Sequence, residues 1–391
     1  VSLIFNSTNF GALAFLPFAP SDGTETLEFY TDVLTAYTAE NEQRNMMRAL
    51  PRHTIQYTYP LQYLMTQGVF NIAFSQVRNN WGIPFWTEAQ RVTGVADAQT
   101  VFNVDTTVHD LRAGSPVLLY QTYCKWEVKE IQSITGSSIT LTNGTTLSGV
   151  VYVIPMLVGY VVGDITTSPT GFDSQAKLTF QITNVLTGLG VTVPPQYNGY
   201  DLYTDPYLAG DSSGGSNTFT QQQNTSDYDV GDIYQVTPWI PQRYSKNYAT
   251  DGSGASDIRA LKEFFYRRAG KFRPFYAPTF ESNLRKASTG NITTTFKFYD
   301  DDFVAALASK RNVVAFGLDD GTWQLRPYSA PTALGDGTAQ ITLGSALNIN
   351  ASRILCVSYA ALNRLDTDSL SIGHKQAGYF TSNFPALEIA A

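Results

Sequence analysis

The sequence predicts a mainly β protein with a few short helices, built as two tandem, related β-rich units. Each unit is expected to pack one amphipathic helix on a sheet. Three observations lead there. Only 15% of the residues are charged, while 13% are aromatic, with 23 Tyr and 23 Phe. That balance suits half-buried pleated surfaces and argues against a coiled coil, a helical solenoid or a disordered tail. The 391 residues leave room for two full cores, neither of which needs a disulfide or a structural metal. The third observation is internal repetition.

Taken in order, residues 26–34 fit a strand through Leu27, Phe29 and Val33, and fit a helix as well. Residues 53–59, after Pro51, alternate cleanly and read as a strand. Leu61, Leu64, Met65, Val69, Ile72, Ala73 and Val77 recur at helical spacing, and a strand-like Ile83-Pro84-Phe85-Trp86 follows. In the second half Ile258, Leu261, Phe264, Phe265 and Arg268 mark another amphipathic helix ending at Ala269-Gly270, before Phe272 to Tyr276. The two stretches align 190 places apart, Arg78 on Arg268, Asn80 on Gly270 and Pro84 on Pro274. Asn and Gly are the residues that best tolerate the left-handed position closing a helix. Further on, Ile139-Thr140-Leu141 matches Ile341-Thr342-Leu343 at 202 places, and Asp164 matches Asp366 at the same spacing. Each triplet precedes a β-rich stretch, residues 150–154 and residues 354–359, and the longest apolar run, residues 150–162, reads as buried strand. The expected units are therefore 1–194 and 195–391, with the boundary near Pro194-Pro195 and a long polar loop at about 209–229 in the second.

The formal net charge of −7 lacks the electrostatic footprint of a general nucleic-acid binder. No window approaches about 18 continuous apolar residues, so no membrane span is expected, and the start of the chain lacks the basic residues of a secretory signal. Cys124 and Cys356 sit in strand-like segments and read as buried free thiols. Matches to Asn-x-Ser/Thr at Asn6, Asn143, Asn224, Asn291 and Asn350 are expected by chance in so polar a chain.

Sites of chemistry are sparse. His53, His109 and His374 have no metal-ligand spacing, and His53 reads as a surface or hydrogen-bonded strand histidine. No nucleophile elbow, phosphate loop or H-E-x-x-H motif occurs. Asp300-Asp301-Asp302 and Asp319-Asp320-Gly321 could pair carboxylates for glycoside hydrolysis or calcium. A hairpin turn at the second, and an N-cap at Asp302 for residues 303–308, account for them more simply. No enzyme activity, cofactor or metal is expected. The second helix is locally basic through Arg259, Lys262, Arg267, Arg268, Lys271 and Arg273. Its basic face is expected to be solvated or to meet a protein partner. The candidate subunit-interface residues are Arg259, Lys262, Tyr266, Arg267 and Trp239, the last lying between Thr237-Pro238 and Ile240-Pro241.

Residues 28–34 (Glu-Phe-Tyr-Thr-Asp-Val-Leu), then Glu42-Gln43-Arg44, Arg48 and Pro51-Arg52, resemble the opening of distal tail, or upper baseplate, proteins of long-tailed bacteriophages. Pro84-Phe85-Trp86 and residues 273–279 are similar to that family's aromatic-proline strands, and the closing segments 362–372 and 387–389 also resemble it. The polar loop lies outside the resemblance. It implies β-sandwich or barrel units in a virion component made in the host bacterial cytoplasm. Such a component forms a ring at the end of the tail tube, joins the tube to the baseplate hub, and leaves a channel through which DNA passes without sequence-specific binding. Two units per chain favour a ring of three chains, with six chains as the other arrangement. The rival expectation is a carbohydrate- or receptor-binding β-sandwich module of the virion that uses Tyr and Trp as stacking platforms.

Overall fold

The computed structural model describes residues 3–35, 42–61, 75, 80–170, 173–204, 217–220, 224–227, 229–236, 243–300, 311–376 and 379–389. It is mainly β. The chain opens with a hairpin of β1 (Ile4–Ser7) and β2 (Gly11–Ala14). β3 (Asp22–Glu28) leads into an outlying hairpin of β4 (Thr31–Thr35) and β5 (Glu42–Met46), and β6 (Arg52–Leu61) returns antiparallel to β3. β7 (Asn80–Pro84) runs parallel to β2. Then come β8 (Gln90–Val95), β9 (Val101–Asn103), β10 (Pro116–Thr122), β11 (Lys125–Ile134) and β12 (Ser138–Leu141). The long β13 (Gly149–Val161) pairs with β8 and β10 near its start and with β7 further along. A hairpin of β14 (Thr166–Thr170) and β15 (Asp173–Ile182) closes on both β13 and β6. β13 is almost continuously apolar because it has strands on both edges and core on both faces over much of its length.

The second half begins with a hairpin of β16 (Gln196–Tyr197) and β17 (Tyr200–Leu202). β18 (Asn217–Thr220) precedes the outlying hairpin of β19 (Asn224–Ser226) and β20 (Tyr234–Val236), and β21 (Arg243–Gly252) pairs antiparallel with β18. Helix α1 (Ala255–Arg268) follows, then β22 (Phe275–Pro278), parallel to β17. The strands β23 (Asn291–Ile292), β24 (Thr295–Tyr299), β25 (Val313–Leu318), β26 (Trp323–Pro327), β27 (Thr332–Ala333), β28 (Thr338–Thr342) and β29 (Ile349–Asn350) follow, with β23 paired to β29, β28 lying between β24 and β27, and the β25–β26 hairpin joined to the large sheet. The long β30 (Ile354–Leu365) pairs with β25, β22 and the last strand, while β31 (Ser369–Gln376) and β32 (Tyr379–Glu388) form a hairpin against β21.

Each half holds two large apolar clusters. In the first, Tyr57, Trp81 and Phe180 centre one, and Phe102, Ile139 and Val151 the other. In the second, Phe265, Phe275 and Phe384 pack under α1, while Phe296, Phe316 and Ile341 fill the distal core. The halves join edge to edge: β3 pairs with β6 on one side and with β31 on the other, Leu27 opposite Leu370.

The structure sharpens several of these expectations. Residues 26–34 form the end of one strand, a turn and the start of another, because Phe29 turns into the core while Tyr30 points outward. The second helix ends as read, with Ala269 left-handed at φ 50° and Gly270 at φ 65°. Of the first expected helix only Leu61 and Ser75 are among the described residues, and Leu61 is the last residue of β6 rather than the start of a helix. Pro84 closes β7, whereas Pro274 precedes β22, whose own closing proline is Pro278. The match at 190 places therefore does not align the two strands, whose following residues Phe85 and Thr279 correspond at 194 places. Ile139 and Ile341 are both fully buried, opposite Phe102 and Phe296 respectively. Within the polar stretch 209–229, residues 217–220 and 224–226 are strand. Cys124 corrects its expectation: it is exposed, because it occupies the turn between β10 and β11, and Cys356 is half-buried.

Candidate functional site

The densest group of ionisable side chains lies where the two halves meet. It starts with alternation: β3 turns Gly23, Glu25 and Leu27 inward, so an acid stands in an apolar row. Glu25 is fully buried. On the adjoining strand β6, alternation also turns His53 inward, and its Nε2 lies 2.8 Å from Glu25 Oε1. From β31 of the second half, His374 Nε2 approaches Glu25 Oε2 at 3.2 Å. Helix α1 supplies Lys262, whose Nζ is 2.8 Å from Glu25 Oε1 and 4.0 Å from Glu88 Oε1. That ammonium also sits over the Phe85 ring, 4.9 Å from its centroid.

Charge balance follows from this geometry. Burial opposes ionisation of Glu25, but Lys262 and the two histidines outweigh it and hold the carboxyl well below the usual carboxylate range. Burial opposes the charge on Lys262 too, and Glu25 and Glu88 override it, raising the ammonium above its ordinary value. Glu88 is pushed up to about 7, chiefly by burial, with Lys262 opposing and the nearby Asp110 and Glu25 charges adding to the rise. Its Oε2 accepts the Asp110 backbone N–H at 2.5 Å. One lysine thus neutralises one carboxylate firmly and a second only in part.

Two further ties cross the same seam. Asp368, after β30, accepts the Lys271 N–H at 2.9 Å and the Thr31 N–H at 2.8 Å, stapling the end of α1 to the start of β4. Arg364 on β30 donates from Nε to Glu42 on β5 at 2.8 Å, and both side chains are nearly buried. The Glu-Gln-Arg element noted in the sequence therefore meets the opposite half of the chain.

The basic helix is less solvated than expected, because its charges find partners within the chain. Lys262 faces inward to Glu25. Arg267 and Arg268 both donate to Asp201, with Arg267 Nη2 at 2.9 Å from Oδ1. Arg268 is buried against the Phe264 and Phe275 rings and donates to the Pro274 carbonyl at 2.7 Å. Burial, with Arg273 nearby, lowers its guanidinium to about 10. Arg259 pairs with Glu263 one turn on, at 3.0 Å. Tyr266 packs edge-on against Phe29 at 6.0 Å. Trp239 lies outside the described residues, as do Asp301 and Asp302 with residues 303–308. Asp319 and Asp320 form the turn between β25 and β26, where both pair with Arg353 at the surface.

Sequence reasoning passed over Glu25, Glu88, Asp201, Arg364 and Asp368. For Glu25 and His53 a signal was present: a charged or polar residue on the apolar face of an alternating strand. A carboxylate, two imidazoles and an amine in contact resemble a proton-transfer set, yet Glu25 is sealed from solvent and committed to its three neighbours. A cleft of about 330 Å³ beside Asp201 is lined by Tyr203, Phe264, Arg267 and Arg268, the same arginines already paired with that carboxylate. Among the described residues no group of three His, Cys, Asp or Glu is disposed to hold a metal ion, and no helix is long and apolar enough to cross a membrane. No family model matches the chain, and no curated protein matches it.

Proposed function

We propose that this chain is a non-enzymatic structural protein of a bacteriophage tail tip, made of two related units in tandem, three chains forming a ring between the tail tube and the baseplate hub. The observation that carries the reading is the recurrence of one order of strand pairings. The hairpin β1–β2 is matched by β16–β17, and the parallel pair β2–β7 by β17–β22. The antiparallel pair β3–β6 is matched by β18–β21, with an outlying hairpin between the two strands in each case. β6–β15 is matched by β21–β32, and β14–β15 by β31–β32. Trp126 on β11 and Trp323 on β26 take corresponding places in the hairpins that lead to the long strands β13 and β30.

Two related units held edge to edge by β3 and β31 make one sector of a ring. The charge cluster serves as the latch within that sector, and the sequence resemblance supplies the tail-tip setting. Exposed apolar residues favour partners above and below: Tyr30 and Met47 flank the β4–β5 hairpin, and Val230 and Tyr234 mark its counterpart β19–β20. Native mass spectrometry of the purified protein is expected to give a particle of three chains, and electron microscopy a ring with a central channel. A mass that is not a multiple of three chains overturns the reading. The exposed tyrosines also favour the rival, a glycan- or receptor-binding module. Binding on a glycan array by the isolated monomer, without ring formation, selects that rival.

A further inference from the structure

We infer that β14 and β18 are the two complementary edges of a self-assembly interface: β18 of one chain adds antiparallel to β14 of the next copy, Thr218 opposite Thr166 and Asn217 opposite Thr167. The inference rests on the reading of the halves as related units. Among the described residues β14 pairs with β15, and β18 with β21, each along one edge. Their counterparts β31 and β3 carry a further pairing, and it is with each other. What joins the halves within one chain is thus absent from the matching pair of edges, which lie on opposite halves.

The register follows from backbone bonds shared by both halves. Thr183 N–H donates to the Val158 carbonyl, and Ile389 N–H to the Leu362 carbonyl. Val162 N–H donates to Thr179, and Asp366 N–H to Pro385. Phe85 N–H donates to Pro155, and Thr279 N–H to Tyr359. These bonds superpose β13 on β30 at 204 places and β15 on β32 at 206. Thr179 faces Gln56 and Pro385 faces Asn247, so β21 follows β6 by 191 places. Thr54 faces Thr26, and Ser245 faces Thr218, which sets Thr26 on Thr218. Lys177 faces Thr166, and Asn383 faces Ser371, which sets Ser371 on Thr166. Within the chain Thr26 faces Ser371. Between chains, Thr218 therefore faces Thr166.

The chemistry of the two seams differs. By the same superposition Glu25 is replaced by Asn217, His53 by Tyr244 and His374 by Pro169, so the carboxylate and two imidazoles gathered from the strands of the internal seam are not repeated in the external one. The external seam is held by main-chain hydrogen bonds, with exposed hydroxyls at Thr166 and Thr218 on one face. Because the two edges are unlike, the contact is head-to-tail, and repetition closes into a ring or extends into a filament.

The test uses full-length protein with Cys124→Ser and Cys356→Ser, carrying Thr166→Cys, Thr218→Cys or both. Directly opposed residues of an antiparallel pair place Cβ atoms within disulfide reach after small adjustment. Each single-cysteine chain, oxidised alone, is expected to stay unlinked. Mixed, they should form a covalent dimer, and the chain with both should yield a closed three-chain species. Thr218→Cys mixed with Ser168→Cys, two residues out of register, should not link. Hydrogen exchange on the unsubstituted protein gives a second measurement: the amides of residues 164–167 and 217–220 should be protected in the assembly and not in the monomer. Three-chain particles in native mass spectra without the disulfide or the protection overturn the edge pairing and leave the ring standing. An open ladder of linked chains keeps the edge pairing and overturns the ring. Self-linking of either single variant overturns the head-to-tail contact, and a protein that is monomeric with neither disulfide nor protection overturns both.

Discussion

Glu25 and Glu88 share one lysine, which favours ionisation of both, but it outweighs burial only at Glu25, where two histidines assist it. Glu25 is ionised because Lys262, His53 and His374 together outweigh the cost of its burial. The substitution Glu25→Gln leaves the Lys262 ammonium buried beside a neutral amide. It is expected to cost about 3–5 kcal/mol, the range for breaking a buried pair from one side, measured by urea denaturation at pH 7. Since the folded carboxyl titrates well below its ordinary 4.5, its contribution is present above that value and is lost as pH falls through the folded value. The variant should therefore lose less stability than the parent on acidification.

The sign reverses at Glu88. Its folded value of about 7 lies above the ordinary 4.5, so between the two the folded chain binds a proton that the unfolded chain has released. That residue's contribution is full below about 4.5 and declines as pH rises through about 7. Glu88→Gln should melt progressively higher relative to the parent as pH is raised from 5 to 8, the gap levelling off above the upper value. A gap that is constant with pH, seen in thermal melts across that range, contradicts the assignment.

Among the elements, α1 is defined at its end by backbone geometry and by what is packed there. Gly270 has φ +65°, and a Cβ at that position would stand 2.2 Å from Asp368 Oδ1. Gly270→Ala therefore meets both left-handed strain, about 1–2 kcal/mol for a residue with a Cβ, and displacement of the carboxylate that staples α1 to β4. Its expected signature is a lower melting temperature together with faster hydrogen exchange at the Thr31 and Lys271 amides. Faster exchange at neither amide would show that Asp368 does not act as a staple. The strands are the elements most legible in the sequence: residues 53–59 and 150–162 declare themselves by alternation and by continuous apolarity. The break at Phe29-Tyr30 was not legible. There Phe29 packs on Phe265 and Tyr266, more than 200 places away in the chain, and the Phe29 and Thr31 amides both donate to Asp368.

For the whole molecule, a low proportion of charge is combined with the inward placement of part of it. Some of the few charges present are drawn inward to the seam between the halves, in Glu25–Lys262 and Glu42–Arg364. The basic residues of α1 that the sequence placed at a surface are instead largely consumed by carboxylates of the same chain. What remains outside is rich in hydroxyls and exposed apolar residues, a surface suited to neighbours, and the three-chain ring is the assembly expected to cover it. Lowered salt dependence is the corresponding measurement: if main-chain pairing of β14 with β18 holds the ring, its mass distribution should change little between low and high ionic strength.

The sequence by itself determined the β character, the place and end of the second helix, the long central strands and the matched Ile-Thr-Leu anchors. These depend on periodicity and composition, which are local and survive in one dimension. Only the tertiary structure decided that Glu25, His53, Lys262 and His374 converge, because they come from three strands and a helix spread over most of the chain. It also decided that β3 pairs with β31, and so which strand edges carry a single partner among the described residues. Pairing between distant strands is a choice among many apolar rows that look alike in sequence, and it is made by the register that buries their inward faces together.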